Sequence, residues 1–176
     1  MTNPLVALLM GSKSDLPKLQ NCIDTLKKLD IPCEVRVMSA HRTPEVVAEF
    51  TDNAAARGIK VIIAAAGGAA HLAGAVAAHT LLPVIGIPVE GGALNGLDAL
   101  LSTVQMPGGI PVATVGIGSG GATNAALLAA QIIGVTDEAV RSRLLQDRQV
   151  RAQKVREADA ELNAWLPLPG RNVQAR

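Results

Sequence analysis

The stretch VIIAAAGGAAHLAGAVAAHTLLPVIGIPV, residues 61–89, contains a glycine loop and an alanine-rich helical pattern between two apolar runs. It has no Lys, Arg, Asp or Glu, so a membrane span is the first structure to consider. A spanning helix needs about 20 apolar residues in one piece, whereas four glycines and two prolines interrupt this stretch. The pattern instead predicts a buried strand, loop, helix and strand, which form a βαβ unit.

The same alternation continues on both sides of this unit. Apolar runs predict five strands, at residues 5–10, 34–38, 61–65, 84–87 and 112–117. Helices are predicted between and after them, over residues 15–29, 44–58, 70–79, 94–104 and 122–133. Thr43 and Pro44 signal the start of the second helix, and Gly58 signals its end. The predicted fold class is α/β, a three-layer αβα sandwich whose doubly wound parallel sheet has the flavodoxin-like order 2-1-3-4-5.

The C-terminal segment predicts a long helix with a different character. Thr136 is its predicted N-cap, and Asp137 and Glu138 suit the positive end of the helix dipole. Six basic and six acidic residues interleave over 137–161. The helix either packs along the domain with a solvated face or forms an arm that reaches a neighbouring subunit. We expect an α/β catalytic domain over 1–134, this helix over 135–166, and a loose tail over 167–176.

Composition excludes several classes of function. A length of 176 residues corresponds to one domain, and a net charge of +1 gives no general attraction to nucleic acid or anionic membrane. One Phe, one Trp and no Tyr leave few rings for base stacking. Cys22 and Cys33 match neither a metal-binding spacing nor a disulfide framework, and the first residues lack signal-peptide features, so we expect a cytoplasmic protein.

One half of the chain is almost free of charge. No Lys or Arg occurs between Lys60 and Arg141. Such a surface is hard to bury within one small monomer, so we expect part of it to form a subunit interface of a homo-oligomer.

Three polar loops follow the first three strands, and the strand order brings them together at the switch point of the sheet. They are GSKSD at 11–15, SAHRTP at 39–44 and AGGAAH at 66–71. Arg42 is the natural partner for a phosphate, because no cation is available from 61–140. An enzyme for a phosphorylated metabolite would place Asp15 on sugar hydroxyls and His41, an imidazole suited to proton transfer, at the reacting atom.

Each loop also has a plainer interpretation. The first loop can be a simple helix cap, and in the second His41 and Arg42 can be an exposed loop histidine and a surface arginine. In the third, Gly67 and Gly68 can serve tight strand–helix packing, and His71 can be a core histidine. The segment GIGSGG at 116–121 satisfies the G-x-G-x-x-G dinucleotide pattern, but it follows the fifth strand and lacks the later acidic residue. We therefore do not expect a dinucleotide site there.

These loops, together with VQMPGGIPVAT at 104–114 and GATNAALLAAQI at 121–132, closely resemble the bacterial N5-carboxyaminoimidazole ribonucleotide mutase family (class I phosphoribosylaminoimidazole carboxylase catalytic subunit family) of purine biosynthesis. The resemblance covers about residues 5–134. It implies an isomerase that moves a carboxyl group from N5 to C4 of the aminoimidazole ribonucleotide, without metal, cofactor or ATP. It also implies a homo-octamer. Ala65, Ala73 and Ala75 depart from the family pattern and put loop rigidity and helix packing in question.

The resemblance also implies roles for individual residues. His41 matches the proton-transferring histidine and is the predicted catalytic residue. The predicted substrate-binding residues place Asp15 on the ribose, Ser39 and Arg42 on the phosphate, and Gly67 and His71 near the base, and the remaining members of this set are Ser12, Ser14 and Ala40.

Two further functions remain open from the sequence. The first is an aminoimidazole ribonucleotide carboxylase that uses free CO2. The second, from another class, is a non-catalytic nucleotide- or FMN-binding module, against which the lack of aromatic residues and the His41–Arg42 pair argue. A purely structural oligomer would leave the three polar loops unexplained.

Overall fold

The computed structural model describes residues 3–166, so the predicted tail over 167–176 lies outside the described residues. Five parallel strands form one sheet in the order β2-β1-β3-β4-β5. Their bounds are Val6–Met10 for β1, Cys33–Val37 for β2, Val61–Gly67 for β3, Val84–Val89 for β4 and Ala113–Thr114 for β5. The predicted doubly wound sheet and its order are confirmed.

Six helices surround this sheet. Their bounds are Leu16–Lys28 for α1, Pro44–Ala54 for α2, Leu72–Ala78 for α3, Leu97–Val104 for α4, Gly118–Gly134 for α5 and Glu138–Trp165 for α6. A single 3₁₀ turn, Lys13–Asp15, precedes α1. The predicted three layers and the long C-terminal helix are therefore present.

The two faces of the sheet bury separate cores, because side chains alternate along each strand. Leu8 and Met10 of β1 face α1 and the alanine-rich side of α5. Ala7 and Leu9 face α2 and α3. All five residues of β1 are buried, as expected for a central parallel strand covered on both sides.

The end of α2 and the beginning of α6 differ from their predictions. Helix α2 ends at Ala54, and one further turn closes on Gly58, whose N–H donates to the Ala55 oxygen and whose φ is +94°. The predicted cap of α6 at Thr136 is wrong: Asp137 is the N-cap, and its carboxylate accepts a hydrogen bond of 3.0 Å from the Val140 N–H. A carboxylate at this position satisfies a free N–H and complements the helix dipole.

Helix α5 begins four residues earlier than predicted, and β5 is shorter. The glycines of GSGG disfavour a helix intrinsically, yet the helix starts at Gly118 and includes them. An ideal Cβ at Gly121 would lie 1.6 Å from the Gly116 oxygen, so only glycine permits this turn. The close fit of the backbone between Gly116 and Gly121 thus accompanies a helix start that local propensity disfavours. The β5 strand pairs at only two positions, Ala113 and Thr114, at the edge of the sheet.

The two halves of α6 have different surroundings. In the first half Val140 and Asp147 are buried, and Asp147 bonds Lys28 of α1 at 2.5 Å and Arg151 at 2.6 Å. From residue 153 to the end, every residue is exposed. The expectation of a helix packed along the domain is therefore wrong for the second half. The reason is length, because 28 residues extend about 42 Å at about 1.5 Å per residue, well beyond the neighbouring α1.

Candidate active site

The loops after β1, β2 and β3 enclose one pocket of about 440 Å³ at the carboxyl edge of the sheet. This is the switch point, because β1 lies between β2 and β3. The lining comes from all three loops and from the start of α3, and its residues are Gly11, Ser12, Asp15, Ser39, Ala40, His41, Arg42, Ala66, Gly67, Ala69, His71 and Leu72.

Asp15 stands at the end of the first loop with its carboxylate available to the pocket. It occupies the N-cap position of α1, but its side chain makes no capping hydrogen bond. The capping of the preceding 3₁₀ turn falls to Ser12, whose hydroxyl accepts from the Ser14 N–H at 3.3 Å. Burial raises the pKa of the Asp15 carboxyl, while the charge of Lys18, a hydrogen bond at Ser12 and the charge of Arg42 act against that rise.

Ser39 organises the second loop through its hydroxyl oxygen. That oxygen accepts from the main-chain N–H groups of His41 and Arg42, at 3.3 and 3.2 Å, and from Arg42 Nε at 3.4 Å. The Ser39 N–H in turn donates to the Thr43 hydroxyl at 3.0 Å. Thr43 does occupy the predicted N-cap position of α2, but its side chain holds this loop rather than capping the helix.

Arg42 is fixed on the side of the pocket next to β1. Its Nη2 donates to the Gly11 main-chain oxygen at 2.6 Å, which ties the second loop to the first. With Nε directed at Ser39, the Nη1 group keeps its hydrogens available for an anion. A guanidinium held in this way suits recognition of a phosphate.

His41 and His71 meet across the pocket. The His41 Nε2 and His71 Nδ1 atoms are 2.8 Å apart, and the two rings are nearly perpendicular, at 85°. A hydrogen bond at this distance requires a proton on one nitrogen and a lone pair on the other. The pair therefore offers both a proton donor and a proton acceptor at neighbouring positions.

Gly67 allows the third loop to pass close to the neighbouring strand. An ideal Cβ there would lie 3.2 Å from the Val89 main-chain oxygen, tighter than an ordinary contact. Gly67 therefore serves close strand packing and also lines the pocket, and its contact with a ligand stays a prediction.

The structure brings together eight of the nine site residues predicted from the sequence. Ser14 is the exception: it is exposed, its hydroxyl lies 2.8 Å from that of Ser12, and it does not line the pocket. Sequence reasoning missed the lining residues Gly11, Ala66, Ala69 and Leu72. Gly11, Ala66 and Ala69 belong to the motifs GSKSD and AGGAAH, whereas Leu72 follows the second of these and has no polar group to indicate a site.

The glycine-rich segment at 116–121 is structural. It forms the first turn of α5 and none of its residues lines the pocket with the histidines. Within residues 3–166, no group of three His, Cys, Asp or Glu side chains is arranged to hold a metal ion. No helix in that range is both long and apolar enough to cross a membrane.

The sheet and the pocket define a doubly wound α/β protein with a paired-histidine ligand site at its switch point. Comparison with known proteins identifies the group more closely. The chain belongs to the AIR carboxylase family, whose model matches residues 5–154. The family resemblance expected from the sequence motifs is thereby confirmed.

Relatives of known name are similar over most of the chain. The N5-carboxyaminoimidazole ribonucleotide mutase of Bacillus subtilis (strain 168) is 54% identical over 159 residues, which cover 90% of this chain and 98% of that protein. The mutase of the same name from Mycobacterium tuberculosis (strain H37Rv) is also 54% identical, covering 90% of each chain.

Solved structures are similar in fold. The crystal structure of Treponema denticola PurE has a TM-score of 0.82 and 33% identity, covering 90% of this chain and 98% of that one. A PurE2 variant from the same organism gives a TM-score of 0.83 and 32% identity, covering 92% and 99%.

Proposed function

We infer that this chain is a mutase of purine biosynthesis that moves the carboxyl group of N5-carboxyaminoimidazole ribonucleotide from N5 to C4. The product is 4-carboxy-5-aminoimidazole ribonucleotide. The observation that carries this inference is the His41–His71 pair, 2.8 Å apart in a pocket that also holds Asp15 and Arg42. The similarity to named mutases over 90% of the chain supports the reaction class.

The pocket suggests how the substrate is held. Arg42, fixed by Gly11 and Ser39, receives the phosphate, and Ser39 still has its hydroxyl hydrogen to donate. The uncapped carboxylate of Asp15 accepts hydrogen bonds from the ribose hydroxyls. This arrangement leaves the aminoimidazole ring towards Gly67 and His71. Ser12 and Ala40 complete the wall, and the predicted contact of Ser14 remains a prediction.

The histidine pair supplies a balanced proton transfer. In the first step the N5–carboxyl bond breaks, CO2 is released within the pocket, and His41 gives N5 the proton it needs. In the second step C4 attacks the CO2, the new C–C bond forms, and the C4 proton returns to His41. One imidazole within reach of both atoms is sufficient for these two transfers. His71 accepts or returns the shared proton and keeps the pair in the correct protonation state.

The test follows the carboxyl label. Substrate labelled with ¹³C in its carboxyl group is mixed with the protein and unlabelled bicarbonate, without ATP. We expect the label to appear in the C4 carboxyl group of the product. Product formed only from free aminoimidazole ribonucleotide and dissolved CO2 would identify a carboxylase instead. Absence of product by both routes would favour a binding module and would remove the catalytic role of His41.

We also propose a cytoplasmic homo-octamer in which 1–134 is the catalytic unit and the 135–166 helix is an intersubunit arm. Exposed apolar side chains support an oligomer: Leu81 is fully exposed, and Leu97, Leu101 and Val104 are about half exposed along α4. The unpacked second half of α6 supports the arm. Sedimentation of a chain truncated after Gln149 tests it, and an unchanged octamer would refute the arm.

A further inference from the structure

Lys18 forms a link that the site described above does not explain. It lies on the first turn of α1, and its Nζ donates to the main-chain oxygen of Glu90 at 2.6 Å. Glu90 follows β4 directly, in a loop over residues 90–96. This hydrogen bond therefore connects α1 to the end of a strand on the far side of β3.

We propose that Lys18 is a positioning residue for the proposed mutase reaction: its bond to Glu90 fixes the spacing between the wall that carries Asp15 and the wall that carries Gly67. The inference rests on the proposed function, because it concerns the same pocket.

The link reaches both walls through short, rigid paths. On one side, Lys18 is three residues after Asp15 and lies about one turn along the same helix. On the other side, Glu90 follows Val89, which is paired with Gly67 in the β3–β4 register. Asp15 is thus connected to Gly67 through helix α1, the Lys18–Glu90 hydrogen bond and the pairing of β4 with β3.

Glu90, which accepts the Lys18 hydrogen bond, lies in a tightly folded loop. An ideal Cβ at Gly96 would lie 2.9 Å from the Glu90 Cα, so the 90–96 loop folds tightly back on its own start. The Glu90 carboxylate lies near the N-terminus of α5, with Oε2 3.9 Å from an ideal Cβ at Gly118. The loop that carries Glu90 is therefore compact, and the Lys18 bond links α1 to a tightly folded segment at the end of β4.

This spacing matters because the proposed substrate spans the pocket. Its ribose lies at Asp15 and its ring towards Gly67, so a wider pocket would weaken both sets of contacts at once. Lys18 also places a positive charge beside the Asp15 carboxylate. Arg42 also acts on the Asp15 carboxylate by its charge, and His41 and His71 are the other titratable groups that line the same pocket.

The test compares Lys18→Met, Lys18→Arg and a control, Lys27→Met, an exposed lysine farther along the same helix. We expect Lys18→Met to raise KM about fivefold with kcat within about twofold, as one partly exposed charge-assisted hydrogen bond would. The acid limb of its kcat/KM profile should move to higher pH, because a positive charge beside Asp15 is lost. Lys18→Arg should restore most of the affinity, and Lys27→Met should match the wild type.

Amide hydrogen exchange provides a readout independent of turnover. We expect faster exchange in Lys18→Met at both 67–71 and 90–96, and no change in Lys27→Met. Equal exchange and equal KM in the two methionine variants would overturn the inference. Failure of the proposed function shows separately, as a wild-type protein without product, and the exchange comparison would still decide whether Lys18 sets the spacing of the walls.

Discussion

Two glycine-rich turns in this chain have similar sequences and opposite uses. The turn at 66–71 leads from β3 towards α3 and lines the pocket, where it brings His71 to His41. The turn at 116–121 follows β5, forms the start of α5 and contacts its own backbone at Gly121. Both have paired glycines between a strand and a helix.

The difference lies in what surrounds the glycines. At 66–71 the neighbouring strand ends supply an acid, an arginine and a second histidine, so the backbone lines a pocket with polar and titratable side chains. At 116–121 the space that a side chain at Gly121 would need is filled by the Gly116 oxygen of the same turn. A glycine pattern therefore predicts close approach of the backbone, and only the neighbouring residues decide whether a ligand or the protein itself makes that approach.

The largest effect should come from the chemistry beside the first turn. We expect His41→Asn to lower kcat by about 10³-fold, within the range for loss of a general acid–base group, with an unchanged melting temperature. His79→Asn is the control, since His79 ends α3 and pairs with Asp52 at 3.4 Å, outside the pocket. Steady-state turnover and thermal melts measure both effects, and substantial turnover by His41→Asn would refute its role.

A substitution in the turn at 116–121 should lower the stability of the protein. In Gly121→Ala the new methyl group would meet the Gly116 oxygen, so we expect destabilisation of at least about 3 kcal/mol. Gly120→Ala is the matched control, because nothing lies within 4 Å of an ideal Cβ there. Urea unfolding should find Gly120→Ala as stable as the wild type or slightly more so. Similar urea midpoints for Gly121→Ala and Gly120→Ala would contradict the conclusion that the turn at 116–121 requires glycine for its own backbone fit.

The smallest expected effect is on the free energy of unfolding, which the partly buried carboxylate of Asp15 lowers. Burial raises the pKa of this carboxyl in the folded protein, so the ionised form destabilises the fold at neutral pH. Asp15→Asn should therefore be more stable than the wild type at pH 7, by less than about 1 kcal/mol because solvent screens the half-buried group, while it loses substrate affinity.

The pH dependence of the difference in stability between Asp15→Asn and the wild type tests the direction of this effect. The stability advantage of Asp15→Asn should shrink as pH falls through the raised pKa of the folded protein, because the wild-type carboxyl is then protonated in the folded state before it is protonated in the unfolded chain. Melting temperatures at pH 7 and pH 4 measure it, with Asp24→Asn, an exposed site on α1, as the control. A wild-type protein more stable than Asp15→Asn at pH 7 would contradict this account.

Local periodicity was sufficient for most of the fold. The buried run of β1 and the alternation of strands and helices predicted the sheet order, and the order alone predicted that three loops would meet. The features that the sequence did not predict depend on the close fit of the backbone and on position within the sheet. The start of α5 depends on Gly121 fitting against Gly116, and the shortness of β5 depends on its place at the sheet edge. The observed N-cap of α6, Asp137, lies one residue after the predicted N-cap, Thr136, which is within the usual uncertainty of helix ends.

The candidate site also has features that the sequence predicts and features that only the three-dimensional structure shows. Charged and titratable side chains could be identified because they follow the ends of three strands that the sheet order brings together. The His41–His71 contact joins residues 30 positions apart and required the register of β1, β2 and β3. The role inferred for Lys18 needed the position of Glu90, 72 residues later, which no local pattern indicates.

The single tryptophan of the chain, Trp165, stands at the exposed end of α6, and there is no tyrosine. Intrinsic fluorescence of this protein is therefore a signal from the tip of that helix. It reports what covers the tip, since burial of the ring shifts the emission to shorter wavelength, and is nearly blind to the pocket and to loss of the sheet. Unfolding followed by fluorescence alone would describe the end of α6, and circular dichroism is the measurement that describes the sheet and the other helices.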